Sequence, residues 1–93
     1  MLHHGTEKIT DALRDQPVVR ARLMTTIGGV GVNLGYFEMS EPLLVEALAV
    51  QRETLGNDNP EVGRTLFTIG WLYFWQGDLG RSLESFEEAA EIL

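Results

Sequence analysis

The residue types that do chemistry are sparse and poorly placed in this chain. Both histidines, His3 and His4, fall within the first four residues, and neighbours in a helix point about 100° apart, so they cannot readily share an ion. Cysteine is absent, which excludes disulfides, thiolate metal sites and thiol nucleophiles. No Ser/His/Asp set occurs at a plausible spacing. Carboxylates are plentiful, and Glu84, Glu87, Glu88 and Glu91 recur at spacings of three and four. That pattern describes a solvated helical stripe, where nothing shifts a carboxyl toward acid–base work. The run from Gly28 to Gly35 invites a nucleotide reading and fails it. A Gly-x-Gly-x-x-Gly loop would need glycine where Leu34 stands, and no Gly-Lys-Ser/Thr follows. No catalytic, metal-binding or cofactor-binding residue is expected, and the chain is not read as an enzyme.

What remains is recognition chemistry. Phe67, Trp71, Phe74 and Trp75 crowd into one helical segment whose buried stripe is already filled by Leu66, Ile69, Gly70 and Tyr73. Four aromatics beside a complete stripe cannot all be core, and exposed aromatic clusters mark contact surfaces. The net charge of −7 opposes nucleic acid, whose phosphates need clustered Lys and Arg, and opposes anionic membranes. No apolar run approaches the roughly 20 residues of a membrane helix. Met1 to Gly5 lacks the basic start and apolar block of a signal peptide. A cytoplasmic protein binding a protein or peptide is the expectation, with no nucleic acid and no membrane.

The elements that would hold these residues come in duplicate. Thr26-Ile27-Gly28 returns as Thr68-Ile69-Gly70, 42 residues on. At the same spacing Arg22 falls on Arg64, Gly35 on Gly77, Ser40 on Ser82, Glu46 on Glu88 and Ala47 on Ala89. These are eight identities over the thirty positions from Arg22 to Gln51, where average composition gives roughly two. A repeat of that length means stacked units, each too small to bury its own apolar face.

The spacing predicts five helices. The first covers Met1 to Gln16 and reads as the tail of a truncated preceding repeat, because Leu2, Gly5 and Leu13 fall on Leu44, Ala47 and Leu55. Pro17 opens the second, whose apolar face is Val19, Leu23, Met24, Ile27, Val30 and Leu34, and Gly35-Tyr36 ends it. The third covers about Glu38 to Leu55, with Leu44, Ala47, Leu48 and Leu55 inward, Val50 flanking, and Pro42 near its first turn. Gly56 stops it. Asn59 caps the fourth, Pro60 sits first and Glu61 faces the positive helix end. That helix runs to Gln76, and the fifth runs from Leu79 to the end. Residues 1–16, 17–58 and 59–93 are the expected units.

The second unit reads Leu66-x2-Ile69-Gly70-x2-Tyr73, then Gly77-x-Leu79-x2-Ser82-x3-Phe86-x2-Ala89. It resembles the tetratricopeptide repeat, and the first unit matches through Met24, Ile27-Gly28, Gly35, Phe37, Ser40, Leu44 and Ala47. The 42-residue period and the segment Ala47-Leu48-x2-Gln51-Arg52-x2-Leu55-Gly56-x-Asp58-Asn59-Pro60 are similar to the variety in kinesin light chains and many bacterial multidomain proteins. The resemblance implies an all-α fold of tandem antiparallel helix pairs, stacked as a right-handed α-solenoid. It also implies a concave groove lined by the first helix of each unit. The groove row then falls at Arg22, Thr25, Gly29, Val32 and Asn33, and at Arg64, Phe67, Trp71, Phe74 and Trp75. The partner-binding residues among these are Arg22, Thr25, Asn33, Arg64, Phe67, Trp71, Phe74 and Trp75.

One departure and one alternative follow. Gly31 stands where the second unit has Tyr73, and a bulky neighbour, Tyr36 or Tyr73, is expected to fill the gap; a pocket or hinge is the other reading. In place of groove binding, the repeats would stack on copies of themselves, or on neighbouring repeats or domains. Leu79, Leu83, Phe86 and Ile92 on the last helix have no following unit to cover them, so a homodimer through that end is the alternative.

Overall fold

A computed structural model describes residues 13–93, and all its regular structure is helical. Four helices follow in order: α1 (Pro17–Leu34), α2 (Phe37–Leu55), α3 (Pro60–Trp75) and α4 (Leu79–Ile92). Most of the helix expected over Met1 to Gln16, with His3 and His4, lies outside the described residues. Within them Leu13 to Asp15 form a turn and Gln16 precedes α1.

Local signals set the helix ends. Pro17 and Pro60 occupy first-turn positions, where a missing N–H costs nothing. The Asn59 side chain accepts the Glu61 N–H at 2.9 Å, and Asp78 accepts the Arg81 N–H at 3.1 Å. Gly35 and Gly77 take φ of 82° and 83°. Behind them the Tyr36 N–H reaches the Gly31 carbonyl and the Asp78 N–H the Tyr73 carbonyl, so both units close with the same left-handed stop. Pro42 lies deeper than expected, in the second turn of α2. It removes the bond that the Glu38 carbonyl would otherwise accept, on a side where Pro42 and Glu38 both meet solvent.

Within each unit the two helices run antiparallel at very close range. A Cβ at Gly28 would stand 2.7 Å from Leu44, and one at Gly70 2.6 Å from the Phe86 ring. Glycine is what allows each approach. The buried residues of α1 are therefore Ala21, Met24, Gly28, Gly31 and Val32. This corrects the expected apolar face: Val19, Val30 and Leu34 are exposed, Leu23 and Ile27 half-buried, and only Met24 is buried. The small residues, not the large ones, mark the side that α2 approaches. Val32, expected in the groove row, is 4% exposed and packs with Leu44, Ile69 and Leu72.

That cluster joins the two pairs. Leu48 on α2 packs both there and against Val62, Leu66 and Ala89, so α2 and α3 share one core. Arg52 of α2 reaches Glu88 of α4 at 2.8 Å; one member of the acidic stripe thus ties the pairs, while Glu84, Glu87 and Glu91 are exposed. Among the described residues no helix is long and apolar enough to cross a membrane.

Candidate interaction surface

Gly31 leaves no pocket. The Ser40 hydroxyl and the Met39 methyl occupy the space a side chain would need there, and the Ser40 Oγ donates to the Tyr36 carbonyl at 2.7 Å. These α2 neighbours, rather than Tyr36 or Tyr73, fill the gap. In the second unit Tyr73 takes the position, and Ser82 instead donates to the Gly70 carbonyl at 2.9 Å.

All the expected site residues except Asn33 divide into two neighbourhoods on α1 and α3. The first is a polar seam. Arg22 grips Glu61 with two bonds, Nε to Oε1 at 2.6 Å and Nη2 to Oε2 at 2.9 Å. One turn on, Thr25 and Thr65 hydroxyls meet at 3.1 Å, and the Thr65 Oγ1 donates to the buried Gln51 Oε1 at 2.5 Å. Because Thr65 has one proton to give, Thr25 is the donor to Thr65. Arg64 lines the same cleft. Its charge, after the Arg22 hydrogen bond and charge, helps hold the Glu61 carboxyl below its ordinary range, against the opposing effect of burial. Arg22 and Thr25 thus spend their polar groups within the chain. Arg64 is exposed and makes no ion pair among the described residues.

The second neighbourhood is aromatic. Phe67, Trp71, Phe74 and Trp75 are 48%, 39%, 40% and 58% exposed. Trp71 is its hub: edge-on to Phe67 at 6.2 Å and Phe74 at 5.4 Å, and stacked near-parallel on Trp75 at 6.2 Å. Phe86 of α4 joins from the side, 5.5 Å from Phe67 and 5.4 Å from Trp71. Such offset and edge-on pairs are the arrangements that aromatic rings prefer, so the rings pack on one another as well as facing solvent. Asn33 lines neither neighbourhood and is exposed in the last turn of α1.

Sequence reasoning missed Gln51, Thr65, Glu61 as a bridging residue, and Phe86 as part of the aromatic surface. Gln51 carried a signal, being a polar residue four places after Ala47 on the inward side of its helix. Glu61 carried another, because Arg22 recurs in register and needs an acid from the following unit.

Among the described residues no group of three or more His, Asp or Glu could hold a metal ion, and the surface consists of a cation, a hydroxyl seam and packed rings. The model of one protein family, described as tetratricopeptide repeat, matches residues 20–93. Comparisons with curated proteins and with solved structures give no match. The helix pairs, their glycine contacts and a family match over most of the chain agree, and the chain belongs to the tetratricopeptide repeat family.

Proposed function

We propose that this chain is a non-catalytic protein-interaction module whose partner meets the exposed face of α3. Repeats of this family generally mediate protein–protein contacts. The observation that carries the reading here is the exposed cluster of Phe67, Trp71, Phe74 and Trp75 packed around one hub. A partner segment laid along it buries apolar area on rings that already pack against one another, which lowers the ordering cost of binding. Arg64 supplies a polar contact and Asn33, which lines neither neighbourhood, has no part in the reading, whereas Arg22 and Thr25 build the wall by holding α3 to α1. We read residues 17–58 and 59–93 as two repeats of the 42-residue, kinesin-light-chain-like variety, stacked in the right-handed sense of an α-solenoid, and place the protein in the cytoplasm. No nucleic acid, membrane or cofactor enters the reading.

Selection from a displayed peptide library, with binding followed by Trp71 and Trp75 fluorescence, tests it. Trp71→Ala is expected to lose binding of the selected peptides while the circular dichroism of the helices is unchanged. Binding that survives Trp71→Ala removes α3 as the contact face. The second reading, self-association, draws on Leu79 and Leu83, both exposed on α4; it requires a dimer in solution.

A further inference from the structure

A polar cleft of about 270 Å³ lies between α1 and α3, with Arg22, Thr25, Gln51, Glu61, Arg64 and Thr65 in its wall. Its hydroxyls and amide are paired in a fixed order. Thr25 donates to Thr65, and Thr65 donates to the Oε1 of Gln51, so the amide oxygen is taken and the amide nitrogen points away from Thr65. Gln51 is 2% exposed. Its Nε2 donates to nothing among the described residues, yet it is not among the fully enclosed polar atoms that lack a partner. It therefore opens on the cleft that Gln51 lines. Buried amides are almost always satisfied, and this one leaves two N–H donors facing whatever occupies the cleft. The cations around it are unevenly used. Glu61 engages Nε and Nη2 of Arg22 and leaves Nη1 unengaged. Arg64 makes no ion pair and no side-chain hydrogen bond among the described residues. Arg22 compensates Glu61, so the charge of Arg64 is what the cleft presents.

We propose that this cleft receives the phosphate of a phosphorylated serine or threonine in the partner protein. A cleft rich in donors, with one uncompensated guanidinium, selects an oxyanion. Phosphate fits it better than a carboxylate does. It brings three terminal oxygens and a charge approaching −2, so Arg64, the Gln51 amide and Nη1 of Arg22 each find an oxygen. The two oxygens of a carboxylate are matched by one guanidinium edge, which would leave the Gln51 amide unpaired. The same cleft sets a spacing. Trp71 stands seven residues after Arg64 on α3, hence on the same face and roughly 10 Å along the axis. An extended segment covers that distance in about three residues. The partner segment then carries an apolar residue three places from the phosphorylated one, packed on the exposed rings around Trp71. The inference rests on the proposed interaction role and names the chemistry that the partner brings to that face.

The probe is a short synthetic peptide with one phosphoserine and one leucine three places away, made in both orders and titrated by calorimetry. Saturable binding is expected, about tenfold tighter than for the same peptides with serine or glutamate in place of the phosphoserine. Arg64→Gln should weaken it by about tenfold or more. Arg64 is exposed, and unchanged circular dichroism shows that this variant folds. Gln51→Glu keeps an acceptor for Thr65 but puts a carboxylate oxygen where the amide nitrogen stood, and should abolish the preference for phosphoserine. Equal binding of the phosphoserine and glutamate peptides overturns phosphate in favour of a carboxylate. Equal binding of the phosphoserine peptide by wild type and Arg64→Gln overturns this cleft as the site. Inorganic phosphate that competes at the peptide's own concentration overturns a protein-borne phosphate in favour of the free anion. Failure of every phosphopeptide, while library peptides still depend on Trp71, overturns the phosphate site and keeps the interaction role. If library peptides also ignore Trp71, both fall.

Discussion

The Ser40 hydroxyl decides what residue can stand at position 31. Its oxygen, fixed by the Tyr36 carbonyl, lies where a side chain on Gly31 would begin, with the Met39 methyl beside it. Gly31→Ala is therefore expected to destabilise by about 1–3 kcal/mol through overpacking. That cost exceeds the roughly 1 kcal/mol alanine gains over glycine inside a helix. Gly29→Ala is the contrast, since its added methyl would meet the Thr68 methyl at 3.6 Å, an ordinary contact. That substitution should stabilise by about 0.5–1 kcal/mol. Urea unfolding of both variants checks the pair, and shifts of the same sign contradict the packing described. The sequence marked these glycines as exceptional by comparison with the second unit. It did not reveal Ser40 and Met39 as what fills the space, because that depends on how closely two helices approach.

At the scale of elements, α1 is tied to α3 by the seam that begins at Glu61. The Arg22 hydrogen bond, then the Arg22 and Arg64 charges, hold this carboxyl below its ordinary range, while burial pushes the other way. A depressed folded-state value means the pair's stabilisation is fully present above the unfolded carboxyl pKa, about 4.3. It is lost as pH falls through the lower folded value. Glu61→Gln is expected to melt earlier than wild type at pH 7, with the gap closing as pH drops below the carboxylate range. A gap that persists in acid would show that Glu61 acts through packing instead. Helix ends were legible in the sequence because Pro17, Gly35, Asn59-Pro60 and Gly77-Asp78 act locally. The inward face of α1 was not. Hydrophobicity pointed to Val19, Val30 and Leu34, but α2 packs where Ala21, Gly28 and Gly31 let its backbone come near.

For the molecule as a whole, two helix pairs share one core through Leu48, and the aromatic hub lies at the open side of the second pair. The aromatic residues were readable in advance, since the stripe behind them was already complete. Their division from the Arg22–Thr25 seam was not, because it follows from Glu61 reaching back across the unit boundary. Most of the candidate surface on α3 was thus visible residue by residue, while its partnership with Phe86 of α4 came only from the fold. The central claim is that this face is open in the free protein and kept for a different partner. Light scattering coupled to size exclusion, over roughly a hundredfold dilution, tests it most directly. A monomer mass at every concentration is the predicted result. A dimer that persists on dilution and dissociates in Trp71→Ala would contradict it, by showing that a second copy already occupies the aromatic face.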